Sequence, residues 1–157
     1  MNISVIAVGN IKEKFFKDAA AEYIKRLSRF GKISITEVKE CRKTDVMQDI
    51  EAEGAEIIKK IKKGDFVVAL CVEGIQKTSE ELSGIIKTAG VNGFGGITFI
   101  IGGSNGLSED VKRRADMRLS FSEMTFPHQL MRVILLEQVY RGFKILIKIL
   151  RRKTKWQ

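Results

Sequence analysis

The sequence predicts an open, mainly parallel α/β sheet with helices on its faces, on three observations. Apolar runs alternate with segments of helical period along the chain. One run, Phe66 to Val72, is apolar at every position, as expected of a central parallel strand covered on both faces. No Pro/Gly/Ser-rich linker, internal repeat or low-complexity tract interrupts the 157 residues, so residues 1–157 read as one domain.

Each element has its own signal. Ile3 to Val8 is an apolar run closed by Gly9-Asn10. Residues 12 to 29 space Phe15, Phe16, Ala19, Ala20, Tyr23, Ile24 and Leu27 as one face of a helix. Ile33, Ile35 and Val38 give a second, partly alternating strand. Thr44-Asp45 caps a long charged helix running to Lys63 and ended by Gly64. After the Phe66 strand, Thr78-Ser79-Glu80-Glu81 starts a helix, with a hydroxyl cap and acids in its first turn. Gly93, Gly95 and Gly96 precede another buried strand, Ile97 to Ile101. Ser108-Glu109-Asp110 opens a short helix, Met117 to Phe121 is a short strand, and His128 begins the last helix.

That last helix is apolar over most of its circumference from Leu130 to Leu150. Gln129, Arg132, Glu137, Arg141, Lys144 and Lys148 form a narrow polar stripe. Such a helix is buried on two sides, and in so small a chain one side is expected to be a partner subunit in a symmetric dimer.

Composition narrows the function. No apolar run reaches the ~20 residues of a membrane helix. The first residues carry no basic leader, so no secretory signal is read there. Cys41 and Cys71 lack the spacing of a metal site or disulfide framework, which points to a reduced, cytoplasmic setting and no metal. Cys71, inside an apolar strand, reads as a buried inert thiol. The net charge is +9, and residues 144 to 157 hold Lys144, Lys148, Arg151, Arg152, Lys153 and Lys155 with no acid. This basic pole suits a polyanion such as RNA, with a solvated helix end as the plain alternative.

Two segments carry chemistry. Phe99 to Leu107 runs from a buried strand into Gly102, Gly103 and Gly106, then into a capped helix. Ligands of open α/β sheets bind outside the carboxyl ends of strands, where glycines let the backbone approach closely. A tight turn alone would look similar, and neither a dinucleotide fingerprint nor a GK[ST] phosphate loop is present. Leu119 to His128 joins a short strand to the long helix, and holds the chain's only proline and only histidine. His128 can cap, touch a ligand or phosphate, or be structural.

IGGSNG (101–106), then SFSEMTFPHQLMRVILLEQVYRGFKI (120–145), resemble the SPOUT-superfamily pseudouridine N3-methyltransferases of large-subunit ribosomal RNA. The opening IAVGNIKEKFFKDAAAEYIKRLSRF (6–30) is similar to that family too. The resemblance implies a deep trefoil knot formed by the C-terminal segment, and a homodimer packed through the last helix. It implies S-adenosylmethionine held by Leu70, Gly102, and Phe121, Ser122, Glu123, Met124, Thr125 and Phe126, with Leu70, Phe121, Met124 and Phe126 enclosing the adenine. The implied reaction methylates N3 of a pseudouridine in 23S (large-subunit) rRNA on the assembled ribosome. His128 is the candidate base or orienting group for the imide proton. Arg132, one turn on, can bind phosphate or the cofactor carboxylate, or form a surface or dimer salt bridge. Lys148, Arg151, Arg152, Lys153 and Lys155 are the candidate RNA contacts.

Two departures stand out. Ser104-Asn105 replaces the family's Pro-acidic pair, and the tail after Ile145 lacks its Pro-Tyr-His element. A non-catalytic RNA- or ribosome-binding module, or a knotted methyltransferase of transfer RNA, are the alternative readings.

Overall fold

The computed structural model describes residues 1–43 and 45–154. Its strands are β1 (Asn2–Val8), β2 (Lys32–Val38), β3 (Phe66–Gln76), β4 (Gly96–Ile101) and β5 (Met117–Ser120). Its helices are α1 (Lys14–Leu27), α2 (Val46–Lys60), α3 (Ser79–Val91), α4 (Glu109–Arg114) and α5 (His128–Thr154). The strands form one sheet in the order β2-β1-β4-β3-β5, and every strand pair is parallel. All carboxyl ends therefore open on the same edge.

Alternate side chains of the central strands feed two cores. Ile3, Val5, Val68 and Phe99 meet α1, α3 and α5 on one face. Ile6, Val8, Val67, Ala69 and Ile100 meet α2 and α4 on the other. In α5, Leu135, Leu136 and Val139 are fully buried, each contributing about 1.5–3 kcal/mol of transfer free energy. Tyr140 and Phe143 pack against Phe30 of the α1–β2 turn, with ring centroids 6.0 and 5.2 Å away, and Tyr23 of α1 lies 6.2 Å from Tyr140. On the opposite flank, Ser83 Oγ of α3 donates to Gly142 O at 2.9 Å.

α1, α3 and the sheet of its own chain cover part of the apolar circumference of α5, while Ile134, Ile145 and Ile147 stay partly exposed. Arg132 does not belong to a solvent-facing stripe, because it is only 2% exposed.

Boundaries shift for local reasons. α1 is shorter than expected, and Phe15, assigned to its core face, is 63% exposed. α2 stops at Lys60 because Ile61 turns extended, and Gly64 takes the positive φ (+85°) of the following turn. Asp45 accepts from Met47 N at 3.2 Å as its cap, and Thr44 lies outside the described residues. Thr78, with Glu81, forms the capping box of α3.

β3 continues to Gln76, past its expected end at Val72. Leu70 pairs with Leu119, the register shifts, and Ile75 pairs with Leu119 again. The backbone of β5 approaches so closely that a Cβ on Gly74 would lie 2.7 Å from Leu119 C.

Candidate active site

Three segments converge beside the carboxyl ends of β4 and β5. They are the part of β3 from Leu70 to Glu73, where its register with β5 shifts, the glycine loop after Ile101, and the segment from Leu119 to His128. They enclose a cavity of about 690 Å³, within the size range of small-molecule and cofactor sites.

The glycine loop has a conformation only glycine permits. Gly106 has φ +85°, its N–H donates to Gly103 O at 3.1 Å, and a Cβ on Gly102 would lie 2.7 Å from Gly106 O. Ser104 Oγ donates to Glu40 Oε1 at 2.8 Å, and Arg42 donates to Glu40 Oε2 at 2.9 Å. The serine bond, desolvation working against it, and the arginine leave the Glu40 carboxyl below its ordinary pKa. The loop is thus anchored to the chain following β2.

The segment after β5 is ordered by its own serines. Ser120 Oγ donates to Ser122 O at 3.0 Å, and Ser122 Oγ accepts from Met124 N at 3.0 Å. It leaves the sheet edge at β5 and ends beside β1. Met131 N donates to Pro127 O to start α5, and Gln129 Oε1 accepts from Lys12 N at 2.9 Å. The connection therefore runs past β3 and the end of β4.

Leu70, Gly102, Phe121, Ser122, Met124, Thr125, Phe126 and His128 all line the cavity. Glu123 does not; it is exposed beside it. Met124 is 73% exposed and sits at the rim rather than deep against a ring. Cys71, expected to be buried and inert, is half-buried on the cavity wall, where burial and the nearby Glu73 charge push its thiol pKa up.

Lys112, which the sequence did not single out, also lines the cavity. It pairs with Glu73, and that bond raises the lysine pKa and lowers the glutamate's. Its signal was weak: one lysine in the short charged helix that follows the glycine loop.

Arg132 is not among the cavity-lining residues. Its Nη1 donates to Glu37 Oε1 at 2.7 Å and its Nη2 to Gly9 O at 3.0 Å. It is thus engaged inside the chain rather than aimed at a ligand. Gly9 has φ +83°, and a Cβ there would sit 3.4 Å from His128 Nε2, so the histidine ring rests against the turn after β1.

Lys148, Arg151, Arg152 and Lys153 are exposed on the last turns of α5, and the first three line a shallow surface groove with Arg141 and Lys144. Lys155 lies outside the described residues. Among the described residues no cluster of His, Cys, Asp and Glu is arranged to hold a metal, and no helix is long and apolar enough to cross a membrane.

A family model described as "Predicted SPOUT methyltransferase" matches residues 1–149. The ribosomal RNA large subunit methyltransferase H of Bifidobacterium animalis subsp. lactis is 52% identical over 151 residues, covering 92% of this chain and 95% of that protein. The protein of the same name from Clostridium botulinum (strain Langeland) is 53% identical over 154 residues, covering 93% and 96%. The one from Alkaliphilus oremlandii is 49% identical over 152 residues, covering 93% and 96%.

Proposed function

The chain belongs to the SPOUT methyltransferase family, and from that premise we propose that it methylates N3 of a pseudouridine in large-subunit ribosomal RNA, on the assembled ribosome in the cytoplasm, with S-adenosylmethionine as donor. The observation that carries this reading is the cavity enclosed by the three segments, with His128 on its wall.

The cavity fits that donor. Leu70, Phe121 and Phe126 offer apolar surface for a purine, and the backbone of the glycine loop and of 121–126 offers donors and acceptors for its edge. When bound, S-adenosylmethionine supplies an electrophilic methyl on its sulfonium. The protein orients the acceptor and keeps water out. His128 lies where an incoming base would meet the cavity, and takes the role of accepting or orienting the imide proton. Arg132 acts through others: it fixes Gly9, and Gly9 backs His128.

The path of residues 121–127 supports a knot. It crosses β3 and the exit of β4 at the same sheet edge, an arrangement ordinary α/β folds avoid. The whole chain acts as one SPOUT domain. It works as a homodimer through α5, whose last turns expose Ile149 (45%) and Leu150 (58%).

A second reading, a binder of RNA without turnover, is motivated by residues 146–157, which differ from the Pro-Tyr-His pattern that the resemblance leads one to expect. Transfer of a tritiated methyl to ribosomes, naked ribosomal RNA and transfer RNA separates the cases. Label on ribosomes supports the proposal. Label on transfer RNA alone, or cofactor binding without label anywhere, overturns it.

A further inference from the structure

The methyl-donor cavity lies beside the carboxyl ends of β4 and β5. A second cleft, of about 590 Å³, lies over the ends of β1 and β2, and His128 lines both. Its rim carries Lys12 from the turn after β1, and Lys39 and Arg42 from the turn after β2. We propose that this cleft seats the phosphodiester backbone of the RNA beside the nucleotide being methylated, with Lys12 and Lys39 as its phosphate-binding cations; this rests on the RNA-methyltransferase reading above.

The charge balance of the cleft supports it. Its two acids already have partners: Glu37 is bound by Arg132, and Glu40 by Arg42 and Ser104. Among the described residues the exposed Lys12 and Lys39 ammonium groups have no carboxylate partner, so positive charge remains in the cleft. Both lysines are held in place relative to the cavity. Lys12 N is bonded to Gln129 Oε1, next to His128. Lys39 adjoins Glu40, which is fixed to the glycine loop through Ser104. Their ammonium groups are thereby offered on short, pinned connections.

Distance within one protomer favours the cleft. Lys148 follows His128 by 20 residues on one helix, which at 1.5 Å per residue puts them about 30 Å apart. Within one protomer the tail cations therefore cannot reach the phosphates flanking a base that enters the cavity beside His128. Lys12 and Lys39 line the cleft with His128 and, unlike Lys112 and Arg42, have no carboxylate partner among the described residues.

The test uses the full-length protein and large ribosomal particles from a strain lacking this methylation. Filter binding and steady-state methyl transfer are followed from low to high salt for wild type, a Lys12→Gln/Lys39→Gln double variant and a Lys12→Arg/Lys39→Arg double variant. Losing two phosphate contacts should raise Kd and KM for the particle by about tenfold at moderate salt and reduce the log–log salt slope by about 1.5. The affinity for S-adenosylmethionine, by calorimetry, should not change, and the arginine pair should restore the slope. An unchanged slope in the glutamine variant, no rescue by arginine, or an equal loss of cofactor affinity overturns the cleft assignment. Because binding is read without turnover, failure of the wild type to transfer methyl would instead overturn the enzymatic reading.

Discussion

Arg132 and Glu37 form an ion pair at 2.7 Å in which the guanidinium is 2% exposed while the carboxylate side chain is 46% exposed. The other end of the fork reaches Gly9 O, so one side chain joins the first turns of α5 to the ends of β1 and β2. Its Nε is buried without a hydrogen-bond partner among the described residues, which is unfavourable.

Removing this junction should affect stability and turnover together. Arg132→Ala empties a fully buried site and should cost about 3 kcal/mol or more by denaturant unfolding. Arg132→Lys keeps one donor, should cost about 1–2 kcal/mol, and should lower kcat more than it raises KM as the support of His128 loosens. Wild-type stability in both variants would contradict the contact.

His128→Asn should lower kcat by about 10²–10⁴ if the ring handles the imide proton, with S-adenosylmethionine affinity retained by calorimetry. A fall of less than about threefold would leave His128 a wall residue only.

Gly102→Ala brings a methyl within 2.7 Å of the Gly106 carbonyl oxygen, and backbone cannot swing aside as a side chain can. The loop must open, and cofactor Kd should weaken by at least about tenfold, equivalent to about 1.4 kcal/mol. Unaltered affinity would mean the loop does not shape the cofactor site.

Gly142→Ala should stabilise the protein. The new methyl meets the far end of the Ile86 side chain, its Cδ1, at 2.9 Å and lies in ordinary contact with Ser83 Cα at 3.6 Å, while alanine gains about 0.8–1 kcal/mol of helix propensity over glycine. A lower Tm would show that the α3–α5 contact cannot yield.

Glu53 is 5% exposed, and burial raises its carboxyl pKa despite the bond from Cys41 N at 2.9 Å. A raised folded-state value means its contribution to stability is full below the unfolded pKa and is lost as pH rises through the folded one. Glu53→Gln keeps the acceptor for Cys41 N, so it should raise Tm at pH 7, with the gain vanishing near pH 4. A gain that persists at low pH would contradict this assignment.

Strand and helix order was legible because the two cores each impose a period on the chain: Ile3, Val5 and Ala7 face one core, Ile6 and Val8 the other. The second half of β3 was not, since residues 73–76 carry no apolar run and are held by pairing with β5, a relation between distant segments. Much of the cavity wall could be read from Gly102 and the 121–126 segment. The role of Arg132 could not, because its helical position looked polar and its partner Glu37 lies 95 residues earlier. Cys71 looked like core for the same reason that β3 was easy to find: an apolar run does not reveal where the sheet ends and the cavity begins.

The central claim is tested most directly by incubating the protein and S-adenosylmethionine with ribosomes from a strain lacking this methylation, then mapping the large-subunit ribosomal RNA by mass spectrometry. The account predicts one new methyl group on a single pseudouridine. An unmodified large-subunit RNA in the presence of bound cofactor, or a methyl on another base, would contradict it.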